Sequence, residues 1–354
     1  MFIKNTWYVA AWSNEVGKNS LLARTIIGKP VVLWRNAEGN IVAFEDRCRH
    51  RGAPLSAGRH EGNAVRCMYH GMLFDSKGKC IEIPSQKHIP ACATVRAYEV
   101  VERFKWIWIW MGDPATSDAS RIPDTHYLDD PAWRGTPGYM HYEANYLLIA
   151  DNLLDFSHLA FVHENTLGGS AKYAQAQPTV TRTERGIRVD RWLMDDEPAP
   201  FLRALKTWKG NVDRWNNYDF VVPGILLMDS GSAPVGTGAR GGNRVDAAEF
   251  FGCQAITPET VKTSHYFFQQ SHNFSLDDPQ VTEGLRSSVL AGFIEDKNMI
   301  TAQQRVLDLD PDFQMLGMRM DRGLRMFRSL VDKLIKSERE SAAVGDHGPK
   351  VVRI

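Results

Sequence analysis

No apolar run in this 354-residue chain is long enough to cross a bilayer. The longest strongly apolar stretch runs only from Trp106 to Met111, whereas a spanning helix needs about 20 such residues. The first residues, Met1-Phe2-Ile3-Lys4-Asn5-Thr6-Trp7-Tyr8, lack the charged-then-apolar layout of a secretion signal. Neither sign of charge is in excess, with 42 Lys+Arg against 42 Asp+Glu. The basic surplus that draws proteins to nucleic acid or to an anionic membrane surface is missing, so neither partner is expected. Cysteine is scarce, five in all, which argues against a disulfide scaffold and fits a reducing cytoplasm. No internal repeat is evident. The single G-x-G-x-x-G match, Gly236 to Gly241, follows Pro234 and precedes Gly242-Asn243 with no helix pattern after it. It lacks the strand–turn–helix setting of a dinucleotide fingerprint and reads as a glycine loop, so the chain is not expected to bind NAD(P)H itself.

Two short runs stand out, Cys48-Arg-His50 and Cys67-Met-Tyr-His70. Each half offers one thiolate and one imidazole, and 16 residues separate the halves. That set suits a Rieske [2Fe–2S] cluster, in which two Cys hold one iron and two His the other. Neutral imidazoles in place of two thiolates raise the reduction potential above that of an all-Cys cluster. The competing reading is structural zinc, but zinc fingers pair Cys with Cys and His with His, and here each half mixes them. Gly and Pro in Arg51-Gly-Ala-Pro54-Leu and Gly71 after His70 suit tight loops whose N–H groups point at sulfur. Cys80, Cys92 and Cys253 match no metal spacing and read as small buried apolar residues.

The length predicts two domains. The first third reads as strands: Pro30–Trp34 and Ile41–Phe44 around a turn at 36–40, a strand–turn at 73–79, and the β-branched and aromatic stretches Val100-Val101 and Trp106–Trp110. A polar stretch from about 115 to 123 reads as a linker. The remainder mixes helical periods with strands, which points to an α+β protein. Residues 341–354, with Gly, Pro and few apolar side chains, are expected to form a flexible tail.

A second constellation lies at Asp151-Asn152-Leu-Leu-Asp155-Phe-Ser-His158-Leu-Ala-Phe-Val-His163. Asp151, Asp155 and His158, spaced by four and three, would share a helix face. His163 lies five beyond His158, about 140° away on an ideal helix, so the helix must distort or end between them. Two His and a carboxylate with open positions suit non-haem Fe(II) and O₂ chemistry. Between Leu285 and Leu307 a helical stripe of Leu285, Val289, Phe293, Ile300 and Leu307 has Asp296 in its middle, with Glu295 on a polar side. A buried carboxylate is costly unless paired or bound to metal, which selects Asp296 over Glu295. The alternative for Asp296 is a buried pair with Arg or Lys.

With both constellations in hand, the chain resembles the Rieske non-haem iron oxygenases from near residue 1 to about residue 335. The C-x-H…C-x2-H and D-x2-H-x4-H motifs occur in that order. The resemblance implies that Cys48, His50, Cys67 and His70 hold the cluster, and that His158, His163 and Asp296 hold Fe(II). Asp155 matches the carboxylate that links an iron-ligand His to the second cluster His of a neighbouring subunit. Asn152 matches a position close to the iron. Asn5-Thr-Trp-Tyr-Val-Ala-Ala, Trp106-Ile-Trp-Ile-Trp-Met-Gly-Asp-Pro and His265-Tyr-Phe-Phe resemble the short monooxygenase branch that includes vanillate, dicamba and toluenesulfonate enzymes. The implied architecture is an all-β Rieske domain over 1–115 and a helix-grip catalytic domain over 116–340, with antiparallel sheet and helices. The implied activity is oxidation of a methyl or methoxy carbon of an aryl acid, vanillate-type demethylation first and toluenesulfonate-type hydroxylation close behind. Electrons would come from a separate NAD(P)H-dependent flavin and iron–sulfur reductase, and the chains would form a homotrimer. A Rieske electron carrier without oxygenase activity is the alternative. Positions that carry a pocket His and Asn in the dicamba enzyme fall at Gln254 and at Met228 or Asp229. These three are the substrate-contact candidates, and they argue against dicamba itself.

Overall fold

The computed structural model describes residues 1–168, 171–206 and 208–345. The N-terminal part is built from eleven strands: β1 (Trp7–Trp12), β2 (Leu22–Ile26), β3 (Lys29–Arg35), β4 (Ile41–Glu45), β5 (Arg59–His60), β6 (Ala64–Arg66), β7 (Leu73–Asp75), β8 (Cys80–Glu82), β9 (Ala97–Tyr98), β10 (Val100–Arg103) and β11 (Trp106–Trp110). They pair as three antiparallel sheets, β1-β11-β10, β2-β3-β4-β9 and β5-β6-β7-β8. The β3–β4 hairpin forms where expected. Asn36 Oδ1 accepts the Asn40 N–H at 2.8 Å, and Gly39 takes φ +87°, a left-handed value that glycine adopts without a Cβ clash. The Trp/Ile alternation of β11 is buried along its whole length because the strand is central, between β1 and β10.

The C-terminal part is a seven-stranded antiparallel sheet of β12 (Gly138–Tyr142), β13 (Thr179–Arg182), β14 (Gly186–Asp196), β15 (Val212–Val221), β16 (Ile225–Pro234), β17 (Ala248–Pro258) and β18 (Ser264–His272), ordered β12-β18-β17-β16-β15-β14-β13. Five helices accompany it: α1 (Tyr146–Leu154), α2 (Ala171–Gln175), α3 (Pro200–Leu205), α4 (Pro279–Leu309) and α5 (Arg322–Gly345). Strand alternation gives the sheet two apolar faces. Leu226, Met228, Phe250 and Phe268 join a core with residues of α1, α4 and α5. Ile225, Cys253, Ala255 and Phe267 face the other way and pack on Trp7, Val9, Trp12, Trp106 and Trp108 of the N-terminal part. The architecture is thus α+β, as the sequence indicated.

Three expectations need correction. Cys92 is exposed, while Cys80 and Cys253 are buried. The segment 341–354 is not all tail: α5 runs on through Gly345, and 346–354 lie outside the described residues. Asp151, Asp155 and His158 do not share a helix face, because α1 stops at Leu154. Asp151 instead pairs with Arg328 of α5. The Gly236–Gly241 segment connects β16 to β17 through a short turn at Ala239–Gly241, with no βαβ unit.

Candidate metal centres and substrate cavity

The two Cys/His runs fold as near-identical loops. Cys48 N–H donates to Ala53 O (2.8 Å) and Gly52 N–H to Cys48 O (2.9 Å); Cys67 N–H donates to Met72 O (2.8 Å) and Gly71 N–H to Cys67 O (2.9 Å). Gly52 and Gly71 both sit at positive φ, +71° and +80°, where a side chain would be strained. At Gly71 a Cβ would also come within 2.7 Å of Pro84 Cγ. The loops bury Cys48 and Cys67, leave His50 and His70 at the surface, and bring the two imidazole rings to 4.5 Å. Burial pushes the Cys48 thiol up to about 11, the backbone N–H groups of His50 and Arg51 pull against that, and Cys67 adds to it. A thiolate here needs a cation beside it, which is what an iron–sulfur cluster supplies.

The second centre lies where three elements meet. α1 ends at Leu154, and Asp155 caps the following turn, Phe156–Ala160, through its Oδ1 to the Ser157 N–H at 2.9 Å. That turn carries His158, and His163 follows after it ends, so the break between the two histidines occurs as the five-residue spacing required. α4 brings Asp296 in from its buried stripe, which holds Leu285, Val289, Phe293 and Ile300 as read from the sequence, with Leu307 packed partly buried against the same core. Asp296 Oδ1 lies 3.4 Å from His158 Nε2 and 3.1 Å from His163 Nε2, and one ligand atom from each residue falls within 4.8 Å of the others.

Hydrogen bonds fix which ring nitrogens face inward. His158 Nδ1–H donates to the Asp155 carbonyl at 2.6 Å, and His163 Nδ1–H donates to Glu295 Oε2 at 2.7 Å. Both Nε2 lone pairs therefore converge with a carboxylate oxygen, three acceptors with no proton of their own between them. Two His and one carboxylate in that arrangement suit non-haem Fe(II). Asn152 Nδ2–H donates to Asp296 Oδ1 at 2.9 Å and lies 3.4 Å from His158 Nε2. Burial lowers the His158 pKa despite the charge of Asp296. At His163 burial also pulls downward, but Asp296 and Glu295 together outweigh it and the net is raised. Glu295 was placed on the polar side of α4 and passed over. Its carboxylate orients His163 and also accepts the Thr166 hydroxyl at 2.6 Å. Asp155, matched to a bridging carboxylate, has its side chain on the Ser157 amide; within the chain it is the backbone carbonyl that holds His158.

The triad lines a cavity walled largely by apolar side chains, among them Phe156, Leu159, Phe201, Phe250, Val289 and Phe293. Of the three substrate-contact candidates, Met228 and Gln254 line it. Gln254 Oε1 accepts the Tyr266 hydroxyl at 2.5 Å. Asp229 does not line it, and this expectation is corrected. Neighbouring residues on a strand point to opposite faces. Asp229 thus turns away and accepts from Trp215 Nε1 at 2.9 Å and from Arg244 at 2.6 Å. Arg214, Asn216, Ser230 and Ser232 line the cavity and were missed. The signal that could have found them is the period-2 pattern of β15 and β16, in which they fall on the inward face with Tyr218 and Met228.

Residues 142–337 match the vanillate O-demethylase oxygenase C-terminal domain family, and residues 6–99 match the Rieske [2Fe–2S] domain family. The chain is 46% identical over 347 residues to the toluene-4-sulfonate monooxygenase system iron-sulfur subunit TsaM1 of Comamonas testosteroni, covering 97% of this chain and 100% of that one. It is 33% identical over 348 residues to a vanillate O-demethylase oxygenase subunit of a Pseudomonas species, covering 97% of each. The crystal structure of dicamba monooxygenase bound to 3,6-dichlorosalicylic acid superposes with a TM-score of 0.89 at 33% identity, covering 96% of this chain and 99% of that one. No described helix is long and apolar enough to cross a membrane. The paired Cys/His loops, the converging His/His/Asp set and these end-to-end similarities together make the chain an oxygenase component of the Rieske non-haem iron monooxygenase family.

Proposed function

We propose that this oxygenase component oxidises the methyl or methoxy carbon of a para-substituted aryl acid. The observation that carries the reading is the largely apolar cavity whose wall holds three converging acceptors, His158, His163 and Asp296. Cys48, His50, Cys67 and His70 would hold the cluster, and His158, His163 and Asp296 the iron. Together these groups supply single electrons and O₂ activation. The chain's own side chains do the rest. Glu295 and the Asp155 carbonyl keep both Nδ1 protons off the metal side, Asn152 holds Asp296 in place, and the aromatic walls exclude water from the reacting carbon. In the overall reaction one oxygen atom enters a C–H bond, the other leaves as water, and two electrons and two protons are consumed. A methyl substrate stops at the alcohol. A methoxy substrate gives a hemiacetal that collapses to phenol and formaldehyde.

Identity of 46% to a toluene-4-sulfonate enzyme, against 33% to a vanillate one, favours methyl hydroxylation of an arylsulfonate. The electron donor is a separate reductase that uses NAD(P)H, flavin and its own iron–sulfur cluster, and the setting is the cytoplasm. Electrons pass His70, Asp155 and His158 across a subunit boundary in a homotrimer. The surface exposure of His50 and His70, and of Met68 and Tyr69 beside them, supports that route. The domain boundary is placed near residue 115, where the polar connection begins. The test is oxygen uptake by the reconstituted enzyme with a surrogate reductase, across arylsulfonates and methoxybenzoates. Toluene-4-sulfonate is expected to yield the benzylic alcohol without formaldehyde. Reduction of the cluster with no oxygen uptake for any aryl acid would return the reading to a simple electron carrier.

A further inference from the structure

Besides the triad, the cavity wall carries a second polar group of residues. Arg214 on β15 and Ser232 on β16 are direct cross-strand partners, so their side chains stand next to each other on one face of the sheet. Both line the cavity. Tyr218 lies four positions along β15 from Arg214, roughly 13 Å of strand. The Tyr218 ring packs 4.9 Å from Phe156, two residues before His158.

Neither residue is satisfied by its surroundings in the usual way. The Arg214 side chain is only 7% exposed, yet its nearest carboxylate oxygen, Asp196 Oδ2, is 3.4 Å away, and the Gly168 carbonyl is also at 3.4 Å. Charge-assisted pairs normally close to about 2.7–2.9 Å, and a guanidinium carries five N–H donors. Its carbon also lies 5.6 Å from the Tyr173 ring centroid. Ser232 is 1% exposed, and its hydroxyl has no hydrogen-bond partner among the described residues. Leaving a buried hydroxyl unpaired is costly, and such a group in a cavity wall marks a place where a ligand completes the set. Outside the triad, Arg214 is the one cationic side chain among the described residues lining the cavity.

We propose that Arg214 and Ser232 form an anion seat that takes the sulfonate or carboxylate of the aryl substrate and so aims its para carbon at His158, His163 and Asp296. This rests on the aryl-acid reading above and adds the residues that recognise the acid. Arg214 supplies charge and a planar fork of donors, and Ser232 supplies a single O–H donor from the neighbouring strand. The oxyanion restores the contacts that both lack, and Asp196 stays beside the guanidinium.

The test uses the holoenzyme with both metal centres loaded and measures binding by calorimetry. The probes are toluene-4-sulfonate and its uncharged analogue, methyl p-tolyl sulfone. Ser232→Ala removes a hydroxyl that nothing in the described structure uses, so the fold should tolerate it. It is expected to weaken the sulfonate about tenfold and leave the sulfone unchanged. Arg214→Gln is expected to weaken the sulfonate a hundredfold or more, with Arg214→Lys recovering part of the loss and the sulfone again insensitive. If Arg214→Gln does not fold, the Ser232→Ala and Arg214→Lys results decide. Unchanged sulfonate binding in those variants, or equal loss for sulfonate and sulfone, would overturn the seat while leaving the aryl-acid reading intact. Wild-type enzyme that binds no aryl acid at all would remove both.

Discussion

At the scale of single residues, Glu295 and Asp296 divide the work at the proposed iron site between adjacent positions of α4. Asp296→Ala should lose mononuclear iron and activity while keeping the Rieske absorbance, because it removes the oxygen on which both Nε2 atoms converge. The sequence pattern alone puts Glu295 on a polar side of α4 and gives it no part in the site; the geometry does. Glu295→Ala frees the His163 ring by deleting its Nδ1 acceptor, and should cost about 10- to 100-fold in iron affinity or turnover. Iron content measured against cluster absorbance checks both, and full iron occupancy in Glu295→Ala would refute the orienting role. Asp296 was legible because one acidic residue in an apolar stripe violates a local period. Glu295 was not, because its partner lies 132 residues away and nothing local announces it. Asp229 was a different failure. Met228 and Asp229 were offered together, and two neighbours on a strand cannot both face one cavity.

At the scale of elements, the decisive feature is the stop after α1. Asp155 ends one helix, and its carboxylate starts the next turn by accepting the Ser157 amide. Asn caps about as well as Asp, whereas Ala costs about 1 kcal/mol. Asp155→Asn should therefore keep the melting temperature and both metals yet nearly stop turnover, if the charge also serves the electron route. Asp155→Ala should in addition lose stability. Single-turnover transfer from reduced cluster to iron, read beside melting curves, separates the two roles; a normal rate in Asp155→Asn would leave only the cap. The five-residue gap between His158 and His163 forecast a break in the helix, since no regular helix brings both rings to one ion. It did not forecast that the break comes as early as Asp155. That position is set by a cap and by the pairing of Asp151 with Arg328 of α5, a contact 177 residues distant in sequence.

At the scale of the whole molecule, the junction between the two halves is polar as well as apolar. His265 of β18 donates from Nε2 to the Thr25 carbonyl of β2 at 3.0 Å and accepts the Tyr139 hydroxyl at Nδ1, 2.9 Å away. Burial drives its pKa from the ordinary 6.5 down to about 4, with Arg24 and His141 adding repulsion and Glu259 opposing them. Below about 6.5 the unfolded chain takes up a proton that the folded chain refuses. The stability this neutral ring contributes is complete above that pH, drains away as the pH falls, and is gone below about 4. The loss is on the order of 1–3 kcal/mol. Denaturant midpoints between pH 7 and pH 4 should show it. His265→Gln, which does not titrate, should flatten the profile, and an equally steep fall in that variant would place the acid sensitivity elsewhere. The same junction carries a consequence for electron delivery. Trp7, Val9, Trp12 and Trp108 are fully enclosed against Ile225, Ala255 and Phe267, and the Ile27 and Gly28 amides donate to Pro258 and Glu259 across it at 2.8 and 2.7 Å. A joint of that kind is a weld, not a hinge. The cluster-bearing half has no swing by which to approach or leave its own catalytic half, so the spacing of the two centres within one chain is a constant of the fold.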